Sequence, residues 1–458
     1  MSANTGILTN NNGYYQASAM YYSPSATIAT TGDFLGNFYC FLSRVKPWPV
    51  DTIPPAPTED QKYIKDVFGS MFVAKKINSS DMSPVIERID WTAGEIYNYY
   101  DDNINMFQLD INGTILKRFY VKNRFDQVFK CLWNNNGGAV STEPFFEPGN
   151  FNANQIFQGA DDYKWKYMYT VTSGNKLKFM DDTWLPVPIA TTTPNPVYTF
   201  AGKGSVDVIN VTNGGTGYDP ANATITVTIT GDGQFASANA VVVAGAINDI
   251  VVANTGSNYS FANVSISSSL GSGAEAFAPT SPIGGHGYNP ATELGARHIM
   301  LTARFTRDEN GNLPTDIDFR QIGLLVNPLA RFGTSISKAN ADIYKVTTDF
   351  VVSQGFGAYT PDETVYQSPD GLFSGATFTA TVLSYDFATN TVKLINTQGN
   401  AINSSLLYGN TSGTSRVVLQ QRQPDFISFS GYLTYLENRE PVQRNADGSE
   451  IFKLVLGY

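Results

Sequence analysis

Charged residues are scarce in this chain. Only 15% of its 458 residues are Asp, Glu, Lys or Arg, against about 25% in ordinary globular proteins. No Lys- or Arg-rich run is present, and the formal net charge is −10. An acidic surface repels phosphate backbones. Nucleic-acid binding is therefore not expected.

Cysteine and histidine are rarer still. Two cysteines, Cys40 and Cys131, are too few for a disulfide framework. One disulfide stays open, but we expect two buried free thiols of a protein made in a reducing cytoplasm. Neither histidine, His286 nor His298, has a Cys or a second His at ligand spacing. We interpret them as a loop His and a strand-edge His, and we expect no metal site and no cofactor.

Long apolar runs are also missing. The longest, near 241–252, is interrupted by Gly245, Asn248 and Asp249, and none approaches the roughly 20 residues of a membrane helix. Residues 1–22 lack the basic start and apolar core of a signal peptide. We expect no membrane insertion, and export only by cell lysis or within a particle.

The residues that are abundant favour strands and turns. Apolar residues make up 42%, aromatic residues 13%, and there are 40 glycines. Thr, Tyr, Phe and Val favour strands, whereas Asn and Gly favour turns, so we predict a mainly β fold. One helix is predicted behind a capping box formed by Thr58 and Gln61. Its apolar residues recur at helical spacing: Tyr63, Ile64, Val67, Phe68, Met71 and Phe72.

Two segments are predicted to be inserted β modules. Charge nearly vanishes over 196–285, which contains a two-fold repeat with an offset of 41 residues. The second segment, 361–421, has three strand-like runs and is predicted to be a small barrel or sandwich. The repeat matches Asn213 with Asn254, Gly215 with Gly256, Tyr218 with Tyr259 and Ile225 with Ile266, and each copy then reaches a Gly-x-Gly, at Gly231/Gly233 and Gly271/Gly273.

Candidate catalytic groups are weak. Paired carboxylates, which a glycosidase would need, occur at Asp101/Asp102, Asp161/Asp162, Asp181/Asp182 and Asp316/Asp318. Such pairs are more often turns or solvated caps. The segment 308–312 resembles a calcium loop but has Leu313 where glycine is needed, so a hairpin turn fits better. All five tryptophans precede residue 185, and we assign them to cores and interfaces rather than to a sugar-binding face.

Several ordered stretches resemble one known family. They cover about 38–188, 293–350 and 426–458, and the two predicted modules fall in the gaps. The stretches are Phe-Leu-Ser-Arg-Val-Lys-Pro-Trp-Pro (41–49) with a Pro-rich run (54–58), Val-Ile-Glu-Arg-Ile-Asp-Trp (85–91), 119–121, 128–135, Asp-Tyr-Lys-Trp (162–165, with Asp162 where glycine is usual), Phe-Arg-Gln-Ile-Gly (319–323) with Asn-Pro (327–328), and Tyr-Leu-Glu-Asn-Arg-Glu-Pro-Val (435–442).

Together these stretches resemble the dimeric baseplate wedge protein of T-even-type contractile-tailed bacteriophages (myoviruses). The resemblance implies a multi-layer β-sandwich wedge core with a few short helices over 38–195, 286–360 and 422–458, preceded by an N-terminal arm at 1–37. It also implies a structural, non-enzymatic homodimer that binds other baseplate wedge subunits. The protein would be located in the virion, at the tail baseplate, after assembly in the host cytoplasm.

The resemblance also names structural or interface residues. These are Arg44, Trp48, Arg88, Trp91, Trp165, Arg320, Glu437 and Arg439. We expect Arg44, Arg88 and Arg439 to make charge-assisted hydrogen bonds to carboxylates or strand-end carbonyls. The two inserted modules have no counterpart in the family pattern, and residues 449–453 replace its acidic C-terminal end. An alternative function is therefore a tail-associated carbohydrate-binding protein that uses these modules for host adhesion.

Overall fold

The computed structural model describes residues 36–111, 115–150, 155–188, 201–445 and 447–457. The predicted mainly β class is confirmed, since strands take up 45% and helices 7%. The longest α-helix in the described ranges has ten residues, and none there has the length and apolarity of a membrane span. Most of the predicted N-terminal arm, and the Asn112-Gly113 turn of a hairpin predicted at 109–115, lie outside the described residues.

The elements are numbered in chain order. They are β1 (Phe38–Ser43), α1 (Gln61–Ser70), β2 (Met71–Ile77), β3 (Met82–Glu87), β4 (Tyr120–Lys122), β5 (Gln127–Trp133), β6 (Ile156–Gln158), β7 (Lys164–Thr170), α2 (Ser173–Phe179), β8 (Trp184–Pro186), β9 (Asn210–Thr216), β10 (Ile225–Gly231), β11 (Ser237–Val243), β12 (Ala246–Asn254), β13 (Ala262–Ser268), β14 (Ser272–Phe277), α3 (Pro290–Glu293), β15 (His298–Thr306), β16 (Asp318–Val326), β17 (Leu329–Phe332), β18 (Ser335–Lys338), β19 (Ile343–Lys345), β20 (Thr348–Val352), β21 (Thr364–Gln367), β22 (Phe378–Asp386), β23 (Thr391–Gly399), β24 (Leu406–Gly409), β25 (Ser415–Arg422), β26 (Tyr432–Gln443) and β27 (Ser449–Gly457).

The described chain divides into two compact units. Unit 1 contains residues 83–300 and 455–457, and unit 2 contains residues 36–82 and 301–454. In unit 1, an antiparallel sheet has the strand order β4-β5-β7-β6. Both faces of β5 and β7 are covered. The core that covers them is rich in aromatic side chains. Trp165 lies in this core with its ring stacked on Tyr163 and edge-on to Tyr97.

The predicted repeat forms three two-stranded antiparallel ladders in unit 1. The ladders pair β9 with β14, β10 with β13 and β11 with β12. Strands β9 to β11 belong to the first copy and strands β12 to β14 to the second, so each of these ladders joins the two copies. A bridge between Ile209 and Ile250, which are themselves 41 residues apart, lies between equivalent positions. The copies are therefore interlaced around a pseudo-two-fold axis.

The tyrosines and glycines of the repeat pack across the two copies. Glycine at 231 and 233 leaves room for the Tyr259 ring, since a Cβ at Gly233 would lie 2.3 Å from its Cγ. Gly271 leaves room for the Tyr218 ring in the same way. The backbone N–H of each tyrosine donates 3.0 Å hydrogen bonds to equivalent carbonyls, Tyr218 to Gly245 and Tyr259 to Gly204. Close ring packing thus explains the Gly-x-Gly motif of the repeat.

Unit 2 contains an antiparallel sheet with the order β19-β2-β1-β16-β26. In this sheet β1 pairs with β16, from Phe38 opposite Val326 to Ser43 opposite Gln321. Strands β1 and β16 are almost entirely buried. The short apolar run that ends at Asn327-Pro328 predicts a strand at 319–326, and this strand is present within β16. The predicted Asn310-Gly311 turn has positive φ at both residues, 59° and 82°, as a type I′ turn requires.

Unit 2 also contains a closed barrel, with strands in the order β20-β23-β22-β21-β24-β25. Its interior is apolar, formed by Phe350, Val382, Leu394, Val418 and neighbouring side chains. Strand β20 begins at Thr348, ahead of the predicted start of the second module at 361. The first strand of the closed barrel therefore comes from a part of the chain that was predicted to belong to the wedge core.

The predicted helix is shorter than its periodicity indicates, and the predicted cap is wrong. Asp60 caps α1, because its carboxylate accepts the Tyr63 N–H at 2.9 Å. Thr58 instead donates its hydroxyl to Asp60. The helix ends at Ser70, and Met71 begins β2 opposite Ser43. Pairing with β1 therefore overrides the helical spacing of the last two apolar residues.

We predict that Gly233→Ala lowers the free energy of unfolding of unit 1 by about 1–3 kcal/mol, because the added methyl overpacks the Tyr259 ring. The control is Gly174→Ala, where a Cβ meets nothing within 4 Å; it lies in α2 and should stabilise by up to about 1 kcal/mol. Urea unfolding followed by tryptophan fluorescence measures both. Equal effects of the two substitutions would contradict the packing role of Gly233.

Candidate functional sites

Four charged side chains form an arginine cluster in unit 2: Arg44, Asp318, Arg320 and Asp362. Arg44 directly follows β1, while Asp318 and Arg320 lie on the neighbouring β16. Arg44 Nη1 is 2.9 Å from Asp318 Oδ1, and Arg320 Nη1 is 2.6 Å from Asp318 Oδ2. Pairing of β1 with β16 thus brings together residues 274 positions apart in the chain. One carboxylate lies between two guanidinium groups.

Arg44 also binds Asp362, two residues before β21, through two parallel hydrogen bonds. Nε donates to Oδ1 at 2.9 Å and Nη2 donates to Oδ2 at 2.7 Å. This fork-to-fork geometry is available to arginine but not to lysine. Arg44 is only 8% exposed. The loss of its hydration is therefore compensated by two carboxylates.

A second contact in unit 2, the Trp48–Arg439 contact, joins the beginning of the described chain to its last strands. The indole Nε1–H of Trp48 donates to the Arg439 carbonyl at 2.8 Å. Arg439 Nε donates to Glu437 Oε1 at 2.7 Å. Asp51 connects this contact to the arginine cluster, since it accepts the Trp48 N–H at 3.1 Å and lies 3.8 Å from Arg320 Nε.

Three predicted residues belong to unit 1. Arg88 binds the Asp90 carboxylate, with Nη2 2.8 Å from Oδ2, and donates to the Asp181 carbonyl at 2.8 Å. Trp91 is half-buried against the core of unit 1, and Trp165 is fully buried within it. Arg44, Arg88 and Arg439 thus make the kinds of hydrogen bond expected of them. Trp165 is a core residue, enclosed within this chain.

A buried lysine cluster in unit 1 was not predicted. It contains Lys130 on β5, His286 in the loop before α3 and Glu293 on α3. Lys130 Nζ is 2.9 Å from Glu293 Oε1, 3.2 Å from His286 Nδ1 and 3.6 Å from the centre of the Tyr100 ring. Glu293 Oε2 accepts the Gly287 N–H at 2.7 Å. His286 does lie in a loop, but it is a buried member of an ion network.

Burial and pairing shift the pKa values of the lysine cluster. Burial tends to raise the pKa of Glu293, but the Lys130 charge and the His286 hydrogen bond outweigh it and lower that pKa to about 2. Burial, helped by the Lys130 charge, lowers the pKa of His286. Burial also lowers the pKa of Lys130, against the attraction of Glu293. The arrangement favours an ionised Glu293 and a neutral His286.

Two further lysines fix the repeat module onto the core sheet of unit 1. Lys164 Nζ is 2.7 Å from Asp249 Oδ1, and Lys166 Nζ is 3.4 Å from Asp207 Oδ2. Both lysines lie on β7 and are at most 8% exposed. The sequence contains no local motif that predicts this pairing or the lysine cluster. Asp207 and Asp249 are single charges in a nearly charge-free segment, and this isolation is the one sign of the pairing that the sequence shows.

Six of the eight suspected catalytic carboxylates have structural partners. Asp318 belongs to the arginine cluster, Asp182 lies 3.8 Å from Arg88 Nη1, and the other four accept backbone N–H groups. Asp101 accepts from Asn103, Asp102 from Thr280, Asp161 from Ser141 and Thr142, and Asp181 from Thr183 and Trp184. In the calcium-like loop, Glu309 accepts the Thr306 N–H and pairs with Lys75. Within the described ranges, no group of three His, Cys, Asp or Glu residues could hold a metal.

Both cysteines are buried and unpaired, as predicted. Burial raises the pKa of the Cys40 thiol to about 12 and raises the pKa of Cys131 as well. Thiolate is the nucleophilic form of cysteine. Neither side chain is therefore suited to covalent catalysis.

Comparison with known proteins adds no family assignment. No protein-family model matches the chain, and no curated protein matches it significantly.

We predict that Arg44→Ala destabilises unit 2 by about 2–3 kcal/mol, because buried Asp318 Oδ1 loses its arginine and Asp362 loses the forked pair. Arg44→Lys should recover only part of this loss, since lysine cannot form the forked pair. Arg422→Ala, an exposed arginine of the same unit, is the control and should change stability by less than about 0.5 kcal/mol. Differential scanning calorimetry measures all three. Equal transitions for Arg44→Ala and Arg422→Ala would contradict the role of the cluster.

We predict that unit 1 loses stability on acidification in two steps. Below about pH 6.5, unfolded His286 takes up a proton that the folded state resists. Glu293 contributes above its unfolded pKa of about 4.5, and its contribution disappears as the pH falls towards about 2. Urea unfolding between pH 7 and 2.5, followed by tryptophan fluorescence, measures both steps.

Glu293→Gln should cost about 3–5 kcal/mol at pH 7, because Lys130 becomes a buried unpaired cation. It should also flatten the step between pH 4.5 and 2.5. Glu275→Gln removes the same charge from an exposed strand position and should leave both steps unchanged. An acid profile of Glu293→Gln that parallels the unsubstituted protein would exclude this assignment.

Proposed function

We propose that this protein is a structural subunit of the baseplate wedge in the tail of a contractile-tailed bacteriophage. It acts as a dimeric scaffold that binds neighbouring wedge proteins, is assembled in the host cytoplasm and resides in the virion. No catalytic step is assigned to it. The proposal rests on the resemblance of three separated sequence segments and on the way unit 2 uses the residues that carry it.

One observation carries the proposal. Five residues of the resembling stretches lie in unit 2, in segments up to 391 positions apart, yet they form one connected chain of contacts. The chain runs from Arg44 through Asp318 to Arg320, then through Asp51 to Trp48 and on to Arg439 and Glu437. A chance match of short motifs would not be expected to select residues that contact one another. The contact chain supports a common core with the family.

The surface chemistry is compatible with permanent assembly. Several large apolar side chains in the described residues are strongly exposed, and low charge reduces the desolvation cost of large interfaces. Some of them lie on the repeat module and on the barrel, and others, such as Ile53, Leu177 and Ile451, lie elsewhere in the described chain. The first group includes Phe235 and Phe261 on the module, and Phe356, Phe387 and Leu419 on the barrel.

The first test is the mass of the purified full chain. Multi-angle light scattering after size exclusion should give twice the chain mass of 49.9 kDa at micromolar concentration. Co-expression with the other baseplate proteins encoded by the same phage should give a stable complex containing this chain. Labelled antibodies should bind the baseplate end of the tail in electron micrographs of virions.

Each part of the proposal has its own contrary result. A monomer at tens of micromolar would remove the dimer. A chain found outside the virion, or one that forms no complex with any baseplate protein of its phage, would remove the wedge assignment. Trp48→Phe deletes the indole hydrogen bond to Arg439 while keeping an aromatic ring. If this variant folds but no longer assembles, the loss of assembly does not result from a loss of folding.

A further inference from the structure

Unit 1 contains a cavity of about 600 Å³ that none of the preceding roles uses. This volume lies within the usual range of ligand pockets, about 300–1,000 Å³. Its walls come from the segment 100–107, from β5 and from the chain leading into α3. Phe119, Met106 and Lys130 are at most 3% exposed and form its closed side. Ile104 and Tyr288 are about half exposed and lie on its open side.

The charge on the cavity wall is negative. Three carboxylates line it, from Asp101, Asp102 and Glu293, against one ammonium group, that of Lys130. Glu293 neutralises Lys130 at 2.9 Å. No ion pair joins Asp101 or Asp102 to a cation among the described residues, so these two aspartates give the cavity wall a net negative charge. They would repel an anionic ligand, and a neutral ligand would gain no charge attraction from them.

The remaining wall is aromatic. Tyr100, Phe107, Phe119 and Tyr288 all line the cavity. Aromatic faces attract cations, and the attraction is stronger where water is excluded. Lys130 over the Tyr100 ring shows that this wall already accommodates one cation in this way. Carboxylates and aromatic rings together favour a positively charged group on an apolar stem.

The entrance indicates where such a cation comes from. Ile283 is 99% exposed, and together with Ile104 and Tyr288 it forms an apolar collar around the opening. A small free amine within the cavity would leave this collar in water. A protein surface that projects one basic side chain into the cavity would also cover the collar. Exposed apolar side chains beside a pocket are typical of protein interaction sites.

We propose that this cavity is a docking site for an arginine or lysine side chain that projects from a partner protein. The stem of the side chain lies along the aromatic wall, and its charge is balanced by Asp101 and Asp102. The partner surface around the stem covers Ile283, Ile104 and Tyr288. The site lies wholly within unit 1 and does not depend on the wedge assignment.

The test uses the full chain and two matched peptides, Ac-Leu-Arg-Leu-NH₂ and its citrulline counterpart Ac-Leu-Cit-Leu-NH₂. Citrulline keeps the shape of arginine but is neutral. Isothermal titration calorimetry at constant ionic strength should give an affinity for the arginine peptide at least about tenfold higher than for citrulline. n-Butylguanidinium, which lacks the flanking leucines, should bind more weakly than the arginine peptide.

Three variants separate the parts of the site. Asp101→Asn should reduce the preference for arginine over citrulline several-fold. Ile283→Ser should weaken the peptide but leave n-butylguanidinium unchanged, since only the peptide reaches the collar. Glu147→Gln, an exposed carboxylate that does not line the cavity, should change neither. Circular dichroism confirms that each variant is folded before titration.

Equal affinity for the arginine and citrulline peptides, or binding of neither at millimolar concentration, would overturn the cationic site. If n-butylguanidinium bound as tightly as the arginine peptide, the collar would have no role and the partner-protein source would be excluded. A preference for arginine that survives Asp101→Asn together with Asp102→Asn would place the cation elsewhere.

Discussion

A charge is costly to bury unless opposite charges or hydrogen-bond acceptors are buried with it, and this constraint shapes both units. Lys130, Lys164 and Lys166 lie beneath the surface of unit 1, each beside a carboxylate. Arg44 and Arg320 do the same in unit 2. In a chain with so few charges, most of these pairs join segments far apart in the sequence: β5 to α3, β7 to the repeat module, and the end of β1 to β16. Apolar packing supplies most of the stabilisation, while these pairs determine which segments meet.

Local sequence signals were sufficient for much of the fold. A short apolar run and a turn dipeptide identified the strand at 319–326 and the Asn310-Gly311 turn, because both depend on neighbours in the chain. The 41-residue offset also identified the repeat. Helix α1 shows the limit of such signals. Met71 and Phe72 continue its periodicity but belong to β2, since pairing with β1 is a tertiary interaction that spacing cannot reveal.

The charged clusters could be predicted only in part. Arg44 and Arg320 were selected through the resemblance, but their carboxylate partner Asp318 was interpreted as one of a possible catalytic pair. The lysine cluster was missed altogether, since Lys130 and Glu293 are 163 residues apart and neither stands in a motif. Long-range pairing of single charges leaves no periodic pattern. His286 is conspicuous in the sequence because histidine is rare in this chain. Its burial depends on contacts that only the fold creates.

The interlaced repeat has a consequence for how this module could have arisen. In the described residues its apolar core consists mainly of equivalent pairs, Val206 with Ile247, Ile209 with Ile250 and Tyr218 with Tyr259. A single copy would leave its strand edges and half of that core without partners. Such a half could be stable only as a self-complementary pair of identical chains. Covalent fusion turns that association into an intramolecular event with a high effective concentration. The module is thus a tethered dimer, whose assembly no longer depends on how much protein the cell makes.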